Sequence, residues 1–78
     1  MAELELFYKG ECPFSKKVLS FMEEEGINEV ELKEINEDPA AKDKLKEVGG
    51  KVQVPCLLID GESLYESDDI IDWLRENV

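Results

Sequence analysis

Two cysteines, Cys12 and Cys56, stand far apart in a chain of 78 residues that contains no histidine. Cys12 lies in Lys9-Gly10-Glu11-Cys12-Pro13-Phe14-Ser15. A proline at the first position of a helix loses no hydrogen bond, because the N–H it lacks would be unpaired there anyway. Cys12 followed by Pro13 therefore reads as a cap residue and the first residue of a helix. A sulfur at a cap faces free backbone N–H groups at the positive end of the helix dipole, and Lys9 and Lys16 are near in sequence. All three influences favour the thiolate and lower its pKa below the ~8.5 of a free cysteine. The chemistry on offer is nucleophilic attack on a disulfide. The plainer alternative is an inert thiol packed as a small hydrophobe, which the flanking Lys-Gly-Glu and Pro13 suit poorly.

Ser15 occupies the place where a Cys-x-x-Cys redox motif has its second thiol. A hydroxyl cannot resolve a mixed disulfide, so an external thiol or Cys56 must do so. Ser15 either donates a hydrogen bond to the thiolate or is an ordinary polar residue of the first turn. Cys56 follows Val54-Pro55 and opens the apolar run Leu57-Leu58-Ile59. It reads as a core thiol, with a resolving or regulatory thiol as the sharper alternative. A bond to Cys12 would need Cα atoms within about 7 Å and converging Cβ vectors. Two isolated cysteines do not resemble a secreted disulfide scaffold, and without histidine, Cys-x-x-Cys or a third cysteine they complete no zinc site.

The elements that would hold these residues follow from periodicity. Leu4, Leu6 and Tyr8 alternate with Glu3, Glu5 and Phe7, predicting a strand that ends at Lys9-Gly10. Pro13 to Glu25 carries Val18, Leu19 and Met22 on one stripe and is stopped by Gly26. Val30, Leu32 and Ile35 mark a second strand, and Asp38-Pro39 is another cap pair opening a helix to about Val48, closed by Gly49-Gly50. Val54 to Ile59 predicts a buried strand, with Pro55 at its start because proline cannot donate to a central ladder. Asp60-Gly61 is a hairpin turn into Glu62 to Tyr65. Ser67 is expected to cap a last helix, with Asp68 and Asp69 at its positive end, Ile70, Ile71 and Leu74 on its stripe and Trp73 at the stripe's edge. The order βαβαββα predicts an α/β fold: one βαβ unit feeding a hairpin and a closing helix, hence a four-stranded mixed sheet flanked by three helices, in one domain over residues 1–78.

Lys9 three residues before Cys12, the Cys-Pro-Phe-Ser junction, Val54-Pro55, and Tyr65-Glu66-Ser67-Asp68-Asp69 at the start of the last helix together resemble the glutaredoxin family of the thioredoxin fold. The resemblance covers essentially the whole chain. Gln53-Val54-Pro55-Cys56-Leu57 and Tyr-Glu-Ser are also similar to the glutathione-binding N-terminal domain of glutathione transferases, which is normally followed by a helical domain. The resemblance implies that Cys12 is the nucleophile, with Pro13, Phe14, Ser15 and Pro55 supporting it. It implies further that Phe14 packs beside glutathione, that Lys9 meets the glycine carboxylate, that the Val54 backbone pairs with the cysteinyl part, and that Pro55 is the family's cis-proline. Ser67 and Asp68 then hold the γ-glutamyl end, and Glu66 is a further candidate for its amino group. A helix N-terminus suits a carboxylate and an acidic side chain suits an ammonium, although Ser67 and Asp68 also read as simple helix capping. Dithiol glutaredoxins have Cys at the place of Ser15, commonly Tyr at that of Phe14 and often Thr at that of Gln53. Monothiol members that hold iron–sulfur clusters typically have Gly where Pro13 stands, so no cluster and no metal is expected.

The 9 basic and 20 acidic side chains give a net charge of −11, and no dense basic run exists to bind nucleic acid or an anionic membrane. Hydrophobic residues make up 42% of the chain, too many for a disordered acidic tail. No apolar run reaches the roughly 18 residues of a membrane helix, and Met1-Ala2-Glu3-Leu4-Glu5 has neither region of a signal peptide, so a cytoplasmic location is expected. The leading expectation is a monomeric thiol-disulfide oxidoreductase that uses glutathione as cosubstrate and acts on glutathionylated or disulfide-containing proteins by a monothiol cycle at Cys12. Two other readings remain: a redoxin electron donor in which Cys56 resolves, and a glutathione-binding interaction module that resembles a detached transferase domain.

Overall fold

In the computed structural model, which describes residues 3–78, alternation along the first strand sorts the whole interior. β1 (Leu4–Tyr8) sends Leu4 and Leu6 to one face of the sheet and Phe7 to the other. β3 (Cys56–Ile59) lies antiparallel beside it and does the same, Leu57 and Ile59 joining Leu6 while Cys56 and Leu58 join Phe7. β2 (Glu31–Glu34) pairs parallel with β1, and β4 (Glu62–Leu64) pairs antiparallel with β3, giving the order β2-β1-β3-β4. The two central strands are the more apolar and the two edges the more polar, as exposed edges require.

Helices cover both faces. α1 (Pro13–Glu24) and α3 (Ser67–Asn77) bury Val18, Met22, Ile70, Ile71 and Leu74 against Leu4, Leu6 and Leu57. α2 (Pro39–Gly49) covers the opposite face, burying Ala41 and Leu45 against Phe7, Ile35, Cys56 and Leu58. Glu5 also faces α2, where Lys44 pairs with its half-buried carboxylate at 2.8 Å. This is the α/β thioredoxin-like fold that the element order predicts.

Several boundaries move, each for a local reason. α1 ends one residue short of the expected Glu25, because the N–H groups of Gly26 and Ile27 fold back onto the carbonyls of Glu23 and Met22. Gly26 adopts φ 66°, and Ile27 packs into the same cluster as Met22, the pattern of a Schellman stop. In β2 only the four polar-edged residues pair, while the anchors Val30 and Ile35 lie just outside it and are buried. β3 begins at Cys56, so Val54 and Pro55 belong to the loop before it rather than to the strand, and their peptide bond is cis. β4 stops at Leu64, one residue before the expected Tyr65. Asp60 and Gly61 have φ 49° and 91°, the positive values that a tight two-residue hairpin needs. Met1 and Ala2, part of the N-terminal stretch read for a leader, lie outside the described residues. Among those residues no helix is long and apolar enough to cross a membrane.

Candidate active site

The loop from β1 to α1 leaves the carboxyl end of a central strand, where α/β sheets form their crevices. Cys12 is its last residue and the N-cap of α1, with extended φ −79° and ψ 123°, and Pro13 is the first helical residue. The Cys12 N–H donates to the Lys9 carbonyl at 3.0 Å, closing the turn that brings the sulfur to the helix start. The same loop is braced from below by a residue that the sequence pattern presents only as part of a strand. Glu34 accepts from the Gly10 N–H at 3.1 Å and from the Asn36 N–H at 2.6 Å, tying this loop to the one after β2.

Partial burial alone would push the Cys12 thiol up. The N–H and hydroxyl of Ser15, the Phe14 N–H and the Lys9 charge outweigh it and hold the thiol below its ordinary value. No hydrogen bond of standard geometry caps the helix from the sulfur, yet the N–H groups of the first turn face it and act on its charged form. Ser15 is fully buried, and its hydroxyl also accepts from the Lys9 N–H at 3.4 Å. Ser15 is thus tied to the end of β1, and its N–H and hydroxyl favour the Cys12 thiolate. Lys16, the second cation named from the sequence, is not among the groups acting on the thiol.

Cys56 differs in placement and surroundings. Strand alternation turns it to the α2 face, in register with Phe7, while Cys12 begins a helix packed on the other face. It has no exposed surface, burial pushes its thiol up, and both cysteines are free.

A groove of about 240 Å³ is lined by Phe14, Gln53, Val54, Pro55, Glu66, Ser67 and Asp68. It brings together seven residues from three segments: the first turn of α1, the loop before β3 and the start of α3. Phe14, two residues after the cysteine, is 63% exposed on its rim. Neither Cys12 nor Lys9 is among the residues that line the groove, and Lys9 acts on Cys12 through its charge. Ser67 is not the cap of α3 but its first residue, and Glu66 holds the N-cap position with φ 71°. That left-handed conformation is uncommon for a residue with a side chain, and it sits at the site. Among the described residues neither Glu66 nor Ser67 spends its side chain on capping, so the first turn of α3 beside the groove keeps N–H groups that no cap takes up. Asp68 is paired with Lys17 of α1, a contact that spacing along the sequence does not reveal. A larger hollow of about 540 Å³ between α1 and α3, which includes Phe21, Ile71 and Arg75, shares Asp68 with the groove but lies along the helices, away from Cys12.

A family model described as glutathione S-transferase, N-terminal domain, matches residues 11–77. The chain belongs to the glutathione S-transferase N-terminal domain family. A glutathione S-transferase from Methylobacillus flagellatus, solved with glutathione bound, is similar at 27% identity and TM-score 0.77, the match covering 97% of this chain and 37% of that one. The thioredoxin-like protein BC3987 matches at 22% identity and TM-score 0.78, over 97% of this chain and all of that one. A glutaredoxin from Archaeoglobus fulgidus matches at 22% identity and TM-score 0.73, over 96% and 88% of the two chains. No curated protein matches the sequence. The resemblance to glutaredoxins therefore stands at the level of fold, and family membership lies with the transferase branch. Fold and family point to a thiol-redox or glutathione-related role.

Proposed function

We propose that residues 1–78 act as one glutaredoxin-like domain that reduces glutathionylated or mixed disulfides by a monothiol cycle at Cys12. The observation that carries this reading is a cysteine held toward its thiolate at the start of α1, two residues before Phe14, which lines a groove together with the start of α3, where Glu66 makes no side-chain cap. The Cys12 thiolate attacks the glutathione sulfur of the substrate, the substrate S–S bond breaks, and the substrate thiol leaves with a proton from solvent. Cys12 then carries glutathione as a mixed disulfide. A second glutathione thiolate attacks the glutathione sulfur of that bond, oxidised glutathione departs, and the Cys12 thiolate is restored. In sum one glutathione thiol is consumed, the substrate thiol is freed, and the glutathione carried by the substrate leaves as half of oxidised glutathione. One protein cysteine suffices, in keeping with Ser15 in the motif.

In this reading Phe14 packs beside the tripeptide, the Val54 backbone pairs with its cysteinyl part next to Pro55, and Lys9 faces the glycine carboxylate. The N–H groups of Ser67 and Asp68 receive the γ-glutamyl carboxylate, and Glu66 meets the ammonium. Asp68 is already matched by Lys17, so the Glu66 carboxylate, which has no ion pair among the described residues, is the better ammonium partner. The position of Cys56 on the α2 face weighs against a cycle in which it resolves Cys12. Incubation with oxidised glutathione followed by peptide mass mapping tests the assignment. One glutathione on Cys12 and none on Cys56 is expected; modification of Cys56, or none at Cys12, overturns it.

A further inference from the structure

Both walls of the groove rest on one floor. Val54 and Tyr65 are packed against the same cluster of Phe7, Ile35, Ala41, Leu45, Cys56 and Leu58 on the α2 face. Leu64 packs on the other face, so alternation turns the Tyr65 ring toward α2 just before the chain reverses at Glu66. The ring is held from two sides. Lys51 Nζ lies 4.7 Å from its centroid, and its hydroxyl abuts Gly49, the last residue of α2. A Cβ at position 49 would fall 1.9 Å from the Tyr65 Oη and 3.2 Å from its Cζ. Gly49 is not among the glycines with positive φ, so its backbone suits any residue, and helix propensity favours alanine there. What requires glycine is the approach of the tyrosine. The Tyr65 hydroxyl is buried near the Cys56 thiol without a hydrogen bond of standard geometry.

We infer that Tyr65, wedged against Gly49, is a positioning residue that sets the spacing between the Val54 and Glu66–Ser67 walls of the groove. The inference rests on the reading of that groove as a glutathione site. Gly49→Ala pushes the ring out and displaces Glu66 and Ser67 with it. Tyr65→Phe keeps the ring and removes the 1.9 Å clash, leaving the 3.2 Å approach of Cζ, which a shift of a few tenths of an ångström accommodates, so it relieves the alanine. Cys12 is left alone by all of this, because the groups that hold its thiolate belong to α1 and the end of β1.

The test is titration of the labelled full chain with S-methyl glutathione, followed by amide shifts, for native protein, Gly49→Ala, Tyr65→Phe and the double variant, together with the pH profile of Cys12 alkylation. Gly49→Ala is expected to weaken binding about tenfold, a typical result of overpacking against a well-fitted ring. Tyr65→Phe and the double variant stay within about twofold of native, and the Cys12 profile is the same in all four. Tyr65→Leu removes the ring without any clash and is also expected to weaken binding about tenfold, which keeps the idea testable if Gly49→Ala does not fold. Native affinity in Gly49→Ala or in Tyr65→Leu, failure of Tyr65→Phe to rescue, or a Cys12 profile that shifts with affinity overturns it. If the native chain shows no saturable binding, the glutathione reading fails separately. The wedge is then judged in the free protein, where Gly49→Ala must move the Val54, Ser67 and Asp68 amides and Tyr65→Phe must return them.

Discussion

At the scale of single residues the two thiols are set in opposite directions by their surroundings. The first turn of α1 and Lys9 favour the Cys12 thiolate over the cost of its partial burial, whereas burial favours the protonated Cys56. Alkylation by iodoacetamide should therefore set in for Cys12 at a pH below that of a free thiol and leave Cys56 unmodified in the folded chain. Ser15→Ala removes a hydroxyl that stabilises the charged form, so the Cys12 profile must shift to higher pH; an unmoved profile would show that the backbone alone sets it. The same shifts act on stability with opposite signs. Cys12, lowered on folding, contributes stability above its unfolded pKa that is lost as pH falls through its folded pKa. Cys56, raised on folding, contributes stability below its unfolded pKa that is lost as pH rises through its folded pKa. Removing Cys56 by substitution with alanine should accordingly flatten the alkaline limb of a urea-denaturation series. Cys12, the Val54-Pro55 pair, Ser67 and Asp68 stand out in the sequence because proline or capping chemistry marks their junctions, whereas Phe14 and Glu66 are singled out only by the family resemblance. The roles of Glu34, Lys17 and Tyr65 do not stand out, since their partners lie far away in the chain and only the fold brings them together.

At the scale of elements, capping explains where the chain starts its helices, and it also explains the one cap that the sequence misassigns. Asp38 caps α2 as expected, accepting from the Ala40 N–H at 3.1 Å and the Ala41 N–H at 3.3 Å. Asp38→Ala should cost about 1 kcal/mol of stability in urea unfolding, with turnover per folded molecule unchanged. At α3 the serine that looks like a cap stands one residue inside, because Glu66 takes the left-handed turn and leaves the first N–H groups open. Local propensity would place the cap on Ser67; the departure coincides with the groove. Glu66→Gly should relax the uncommon backbone conformation and raise stability while weakening glutathione binding, measured by thermal melts and titration; a variant that gains on both counts would show that Glu66 has no part in the site. The strand limits are less legible than the helix limits for a related reason. Val30, Ile35 and Val54 are apolar because they plug the core from loops, and a hydrophobic run alone does not tell a ladder residue from a plug.

At the scale of the whole molecule a small core carries a large negative charge. A domain of this size holds only about 0.05–0.15 kcal/mol of stability per residue, so single core contacts weigh heavily. Leu57 is fully buried, in register with Leu6 on one side and Leu64 on the other. Leu57→Ala should cost about 3 kcal/mol, visible as a large fall in the urea midpoint. A net charge of −11 repels itself, and added salt should raise that midpoint by screening it. Element order and the division of the sheet into two faces were readable from alternation and helical stripes, because both follow from burial, which the sequence pattern encodes directly. The assembly of the groove from three separate segments was readable only through resemblance, since nothing in the spacing of residues 14, 54 and 66 says that they meet. The central claim is chemical and has a direct test: reduction of a glutathionylated peptide by glutathione, coupled to glutathione reductase, for the native chain, Cys12→Ser and Cys56→Ser. Turnover that is lost with Cys12 and kept without Cys56 is the predicted result; native turnover no faster than buffer, or turnover that survives Cys12→Ser, would contradict it.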